Sequence, residues 1–406
     1  MDRVLRVFRI CLLVILLFSV FGRIIFRPTE IIDLNRALNE AFPERQFTEK
    51  SKSPPLYQTE DGLIAFNSYD ITPGIRGYAG PIKTLVVINP GGQIEKVRIL
   101  SHHETKNYVH YMLTEDYLRG FEGKSIRDPF EVDRDIDGIS RATISVKALA
   151  ETVRESARKV AEETFGYRYG KKEKTHLFDV KTLLLLLLFC LGVMTYIYTR
   201  RTGEVKRFRN LVMVLSIVTL GVYLTTPFSL IHIVNLLLFR YSYSPFWIIL
   251  TAGTVMSFLF AGRFYCGYLC PFGGISEFMG RLKTRKWKID NETDKRARYI
   301  KYIILIFAIP IGVVTGRPDF IVYEVYIPLF SLHGGVLLWL LVTVMLLANL
   351  RVPRFWCRFL CPVGGIGGLL SKSDNSYKSC PDCPMGNPPL PHTSECIRCN
   401  RCIKKG

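Results

Sequence analysis

Acidic residues are scarce in this chain: 35 Asp and Glu stand against 54 Lys and Arg over 406 residues, a formal net charge of +19. In a soluble protein such a balance suggests nucleic acid, but the placement of the charges argues against that partner. Arg200, Arg201, Lys206, Arg207 and Arg209 form one basic run, and residues 281–301 hold nine Lys or Arg. Both runs lie between long apolar segments, where the positive-inside rule puts cytoplasmic loops, so no nucleic-acid partner is expected. Inside the apolar segments charge is sparse, which speaks against a proton or ion pump built in this chain alone. Small residues are missing too where a leader peptidase would need them. Arg3, Arg6 and Arg9 precede the apolar run 10–26, yet the first Ala is Ala37. The run therefore reads as an uncleaved anchor with its N-terminus inside. Isolated cysteines are few: of eleven, only Cys11 and Cys190 stand alone, within apolar runs, as small apolar fillers. The other nine fall in three late clusters. On a cytoplasmic face that pattern indicates metal ligation in place of disulfides.

What is present is apolar: 49% of the residues are hydrophobic, too many for a wholly soluble chain. The fold expected is an α-helical integral membrane protein of six transmembrane helices, with a small extracytoplasmic α+β domain and a short cytoplasmic tail. The boundaries are an anchor over 1–27, the polar domain over 28–172, a five-helix membrane domain over 173–372 and the tail over 373–406. The spans are 10–26, 180–198, 211–226, 246–265, 302–315 and 335–350; the run 231–239 is too short to cross and is assigned to the outer interface. Six crossings from an inside N-terminus put the polar domain outside, both termini inside and both basic runs in the cytoplasm. The outer loop 316–333 then has Arg317 as its one basic residue. A bacterial cytoplasmic (inner) membrane is the expected location.

In the polar domain, strands are predicted over 83–89 and 94–100, separated by the turn residues Pro90-Gly91-Gly92-Gln93, and a helix over 109–119. A further amphipathic helix carries Val146, Leu149, Val153, Ala157, Val160 and Ala161 on one face. It places Thr143 at its N-terminus, where free N–H groups and the dipole favour a phosphate. A plain capping role for Ser140 or Thr143 fits the same residues.

The stretch Asp137-Gly-Ile-Ser140-Arg-Ala142-Thr143 resembles the flavinylation motif of membrane FMN-binding domains, as in the G and C subunits of Rnf and sodium-pumping quinone reductases. The resemblance implies FMN bound covalently to Thr143 through a phosphoester, attached by a flavin transferase, with Asp137, Ser140 and Ala142 completing the motif. Arg141 stands where many members have Gly; Ser-Arg-Ala-Thr is the form of the NosR/NirI group. Upstream, Gly77-Tyr78-Ala-Gly80-Pro81-Ile82 and His103-Glu104-Thr105 are similar to the rest of that domain, which adds Glu104 and Thr105 as cofactor-binding residues.

Cys266-Gly-Tyr-Leu-Cys270-Pro271 and Cys357-Arg-Phe-Leu-Cys361-Pro362 follow the fourth and sixth spans, each trailed by a glycine pair, Gly273-Gly274 and Gly364-Gly365. Positions i and i+4 share a helix face, and proline ends the helix before it. The two segments look like an internal duplication whose four thiolates suit one iron–sulfur cluster, with zinc as the alternative. In the tail, Cys396, Cys399 and Cys402 have ferredoxin spacing, Cys383 before Pro384 supplies a remote fourth ligand, and Cys380 is spare or replaces it. A zinc ribbon would share this spacing.

Taken together, the chain resembles the NosR/NirI group of membrane flavo-iron–sulfur proteins and the related C proteins of reductive-dehalogenase operons. That implies covalent FMN, two [4Fe-4S] clusters and no catalytic residue of its own. Electrons would pass between cytoplasmic clusters, fed by the quinone pool or a cytoplasmic donor, and an outer FMN serving an extracytoplasmic reductase. The alternatives are a redox-sensing regulator with the same cofactors and a structural factor with inert zinc. The hydrocarbon core, about 30 Å thick, is too wide for a single hop from cluster to flavin. His232 and His333, near the outer side, are candidates for a quinone contact or a haem ligand, or plain polar residues at the interface.

Overall fold

The computed structural model describes residues 2–25, 34–77, 80–102, 104, 109–139, 143–167, 179–202, 206–239, 244–282, 285–287, 289–316, 321, 323–332, 334–372, 383–386 and 394–402. The chain divides into two compact units: residues 1–26 with 176–238 and 243–406, and residues 27–175 with 239–242. Helix α1 (Asp2–Ile25) opens the first.

The smaller unit begins with α2 (Leu34–Ala41). Five strands follow: β1 (Thr48–Lys52), β2 (Pro55–Gln58), β3 (Ile64–Asn67), β4 (Lys83–Ile88) and β5 (Ile94–Ser101). They form one antiparallel meander in sequence order. Strand alternation sorts the side chains into two buried faces. Leu56, Phe66, Val86 and Val97 stand opposite one another across β2–β5. They pack against Val146, Leu149, Val153, Ala157 and Val160 of α3 (Thr143–Phe165). Ala65, Leu85 and Val87 point the other way, onto Leu34 and Leu38 of α2. With helices on both faces, β3 is buried along its whole length and β4 along all but its first residue.

The hairpin lies where the turn residues put it. Asn89 N donates to Gln93 O at 2.9 Å, and Gly92 takes φ +76°, a conformation that favours glycine. The predicted helix over 109–119 is not continuous. A 3₁₀ turn (Tyr111–Leu113) and a five-residue helix (Glu115–Arg119) are separated by Thr114. Thr114 is extended, and its hydroxyl accepts from Tyr117 N at 3.4 Å. A threonine in that position starts a new helix in place of continuing the old one.

The larger unit continues with α4 (Val180–Thr202), α5 (Lys206–Ser216), α6 (Leu230–Leu237), α7 (Pro245–Phe260), α8 (Pro271–Gly280), α9 (Ile300–Thr315), α10 (Tyr326–Ser331), α11 (Val336–Arg351), α12 (Phe355–Phe359) and α13 (Pro362–Leu370). Helix α5 runs on as a π-helix over Ile217–Tyr223. Among the described residues, three segments are long and apolar enough to cross a membrane: Leu5–Gly22, Val180–Thr202 and Asn291–Thr315. Helices α7 and α11 are apolar but have 16 residues each. Leu187, Met194, Phe307, Leu337 and Leu340 are exposed on α4, α9 and α11, as lipid-facing positions are. Helix α1 belongs to this bundle: Phe8 stacks on Tyr299, with ring centroids 6.0 Å apart, and Arg9 Nη2 donates to Ser371 O at 3.0 Å.

Within the stretch assigned to an outer loop, 316–333, the described residues 323–330 pack into the bundle. Tyr323 OH donates to Leu360 O (3.1 Å), Tyr326 OH to Phe228 O (3.2 Å), and Leu230 N donates to Glu324 Oε1 (2.7 Å). Phe330 lies against Gly221. The break between the π-helix and α6 exposes peptide groups that water would otherwise satisfy. In an apolar setting those groups must find protein partners, and this segment supplies them.

Candidate cofactor sites

In the smaller unit, Gly77 and the start of α3 meet at Glu104, one of the predicted flavin residues. The backbone of α3 begins at Thr143, and the helix has no acidic residue of its own in its first turn. Its opening N–H groups therefore point at a site suited to an anion. One turn in, Ser145 is buried and its hydroxyl donates to Glu104 Oε2 at 2.6 Å. Glu104 is also buried, and its backbone N donates to His102 Nδ1 at 3.1 Å. Gly77 lies so close that a Cβ there would run into Glu104 Oε1. Asp137 is fixed through its carbonyl, which accepts from Tyr117 OH at 2.8 Å. A Cβ on Gly138 would strike the carboxylate of Asp133. Burial, and then the charges of Asp137 and Asp133, push the Tyr117 phenol upward, so it stays a neutral donor. Ser145 and Tyr117 hold this site together, and the sequence reading assigned a role to neither. Ser145 had one visible signal, its place two residues after Thr143; Tyr117, twenty residues before Asp137, had none. Thr105, Ser140, Ala142, His103 and the Thr143 side chain lie outside the described residues.

In the larger unit the two cysteine motifs take matching conformations. Cys266 lies in a π-helical turn, Tyr265–Leu269, and Cys357 in α12. Cys270 and Cys361 are the N-caps of α8 and α13. Their sulfurs accept from Gly273 N (3.4 Å) and Gly364 N (3.3 Å). Burial pushes the Cys270 thiol up, and Cys266 and Cys357 add to it. Cys361 is raised by burial and then by Cys357, Cys266 and Cys270. Burial also raises Cys357, so for Cys270, Cys357 and Cys361 deprotonation is favoured by a positive partner. Among the described residues no group of three or more His, Cys, Asp or Glu is arranged to hold a single metal ion.

Two arginines cross between the repeats. Arg354, three residues before Cys357, donates through Nη1 to Cys266 O at 2.8 Å. Arg263, three residues before Cys266, donates through Nη2 to Cys357 O at 3.4 Å. Both are 0% exposed. The first glycine of each pair makes room for them: a Cβ on Gly273 would crowd Arg354, and one on Gly364 would crowd Arg263. The sequence signal was legible but unread: Arg-Phe-Tyr-Cys266 and Arg-Phe-Trp-Cys357 repeat along with the cysteines.

The tail is seated on the first repeat. The carbonyl of Ile397 lies where a Cβ of Gly267 would stand. Asn400 Nδ2 donates to Thr199 Oγ1 (2.9 Å) and Tyr196 O (3.1 Å). Arg401 Nη2 donates to Glu277 Oε1 (2.7 Å). Glu395, 0% exposed, accepts from Arg263 (2.8 Å), Lys301 Nζ (2.6 Å) and the hydroxyl of Tyr302. Burial and then Cys399 push the neighbouring Cys396 thiol up to about 11. Cys383 stands near Arg358, and Cys380 lies outside the described residues. His232 caps α6: its Nδ1 accepts from Ser229 N at 3.1 Å, and its ring stacks on Phe228 at 5.0 Å. His333 lies outside the described residues.

The donor chemistry fits iron–sulfur ligation: among the described residues, buried and half-buried thiols stand with cations close by. Comparison with known proteins agrees. A family model of the FMN-binding domain matches residues 77–158, the span from Gly77 through the first two-thirds of α3. A 4Fe-4S binding domain matches residues 243–290 and 332–378, one segment per cysteine repeat. The chain is 30% identical over 39% of its length to the putative electron transport protein YccM of Escherichia coli (strain K12), covering 52% of that protein. To the regulatory protein NosR of Pseudomonas aeruginosa it is 26% identical over 47% of its length, covering 29% of NosR. To the protein NirI of Paracoccus denitrificans (strain Pd 1222) it is 26% identical over 50% of its length, covering 35% of NirI. It therefore spans about half the length of the first relative and about a third of the other two. No solved structure matches.

Proposed function

We propose that this chain, which belongs to the NosR/NirI-type family of FMN- and 4Fe-4S-binding electron-transport proteins, carries electrons between two iron–sulfur clusters and a flavin on Thr143. Cys266, Cys270, Cys357 and Cys361 hold one cluster. Cys396, Cys399 and Cys402 hold the other, with Cys383 or Cys380. Bound iron–sulfur clusters supply one-electron transfer, and the flavin accepts one or two electrons; the chain's own part is position and potential. The observation that carries the reading is the seating of the tail. With the Ile397 carbonyl on Gly267, between Cys266 and Cys270, the two ligand sets stand in series within one core.

Thr143 would carry FMN through a phosphoester at the N-terminus of α3, the motif being completed by Asp137, Ser140 and Ala142. A six-crossing topology in a bacterial inner membrane places that domain outside and both termini inside. It is supported by the meeting of Arg9 near the start of α1, Tyr299 at the start of α9, and Ser371 after α13. A cytoplasmic donor or the quinone pool feeds the clusters, and an extracytoplasmic reductase takes the electrons. Tyr323, in the stretch assigned to the outer loop, reaches Leu360, beside Cys361. NosR is a regulatory protein, which favours a second reading, redox-sensing regulation with the same cofactors. A carrier must be reduced and reoxidised at its partner's turnover rate, whereas a sensor need not be.

The test uses protein purified without oxygen after co-expression with a flavin transferase. Flavin fluorescence on a denaturing gel, lost in Thr143→Ala, together with about eight iron atoms per chain, is the expected result. Flavin without iron would turn the cysteines to zinc. Iron without covalent flavin would reduce Thr143 to a helix cap.

A further inference from the structure

Charge around the cysteines is unbalanced. Glu277 accepts from Arg209, Arg354, Arg281 and Arg401, all within 2.6–2.8 Å. Glu395 and Asp294 together face Arg263, Lys301, Arg298 and Arg358. Among the described residues these two shells set eight cations against three carboxylates, an excess of five positive charges. Six of the eight side chains are at most 5% exposed. Buried charge in such excess is costly unless an anion answers it. The cysteine sets lie against the shells: Arg263 and Arg354 donate to the carbonyls of Cys357 and Cys266. Arg209 donates twice to Gly267 O, at 3.1 and 2.9 Å.

We propose that Arg263 and Arg354 set the reduction potential of the cluster held by Cys266, Cys270, Cys357 and Cys361, and link it to the tail set. The inference rests on reading those cysteines as cluster ligands. A thiolate-ligated cluster is a net anion and gains a negative charge on reduction. Cluster potentials follow net charge, hydrogen bonding and solvent exposure. A buried guanidinium fixed on the far side of a ligand's own peptide favours the more negative, reduced form. The crossing makes each arginine sense both repeats. Each also reaches the tail: Arg263 through Glu395, the residue before Cys396, and Arg354 through Glu277 to Arg401, the residue before Cys402. Both are positioning residues; neither is a ligand.

The experiment is an optical and electron-paramagnetic-resonance redox titration of the full-length protein in detergent, with iron counted on every sample. Arg354→Gln and Arg263→Gln are expected to shift at least one reduction wave toward the oxidised form by tenfold or more, about 59 mV for one electron. Arg354→Lys keeps the charge and should recover most of the shift. Glu277→Gln should move the wave the opposite way. Midpoints within threefold of wild type in iron-replete Gln variants would overturn the proposal and leave the arginines as braces between repeats. If the arginine variants lose their iron, Glu277→Gln decides, and an unmoved midpoint there overturns it equally. Wild-type protein without iron would instead sink the cluster reading on which the inference stands.

Discussion

Glu395 shows how a single side chain can hold the tail in place. Burial alone would raise its carboxyl, but Lys301, Arg263 and Arg298 outweigh that effect and hold it down to about 2. In the unfolded chain a glutamate titrates near 4.3 (an approximate reference value). A carboxyl lowered on folding adds stability that is fully present above the unfolded value and is lost as pH falls toward the folded one. The loss here, between about pH 4.5 and pH 2, is on the order of 3 kcal/mol. Thermal unfolding of the full chain should therefore show a falling midpoint across that window. Glu395→Gln should lack that part of the slope and be less stable at pH 7 by about 3–5 kcal/mol, because it strands buried cations. An identical slope in the variant would mean that other carboxylates, Glu277 among them, carry the acid sensitivity.

At the scale of elements, the decisive contact is between two turns. The π-helical turn Tyr265–Leu269 presents Gly267 to the tail, and the carbonyl of Ile397 takes the space a side chain would need. Both sides of this contact are backbone, so neither can swing away. Gly267→Ala is expected to unseat the Cys396–Cys402 loop. Iron should fall from about eight to about four atoms per chain, as one four-iron cluster is lost, and Cys399, 6% exposed here, should become open to alkylation. Full iron with Cys399 still protected would show that the tail is held elsewhere. Part of this arrangement was legible in the sequence. The doubled CxxxCP unit, the hairpin around Gly92 and the helix from Thr143 all rest on local signals of spacing and turn chemistry, and local signals survive folding. What escaped depends on distant partners. Strand β1 is almost wholly polar and exposed, so it has no alternation to read. The break at Thr114 competes with a good helical pattern. Glu324 and Tyr326 sit in a stretch assigned to a loop by its place between two spans, and their partners Leu230 and Phe228 lie some ninety residues away. Arg263 and Arg354 repeat in plain view, yet a fully buried arginine is uncommon enough that only the crossed geometry gives them meaning.

Across the whole molecule, the unsettled quantity is the number of crossings. Three segments have full length, while α7 and α11, at 16 residues, extend about 24 Å against a hydrocarbon core of about 30 Å. A shortfall of a few ångströms is met by local thinning of the bilayer or by flanking residues that reach the interface. Helix α5 with its π-helical extension covers 18 residues without a break, so a π-bulge, not a helix end, lies in its path. If these three cross together with the long ones, the count is the six proposed above, an even number that would keep both basic runs on the side of the N-terminus. The consequence is concrete. In spheroplasts, added protease should remove a soluble fragment near residues 28–172 and leave tags at both termini intact; in inverted vesicles the tags should be lost and the fragment protected. Cleavage of the C-terminal tag from spheroplasts would mean that one short helix does not cross. The tail cysteines would then face the same compartment as the flavin, and no electron would need to cross the bilayer.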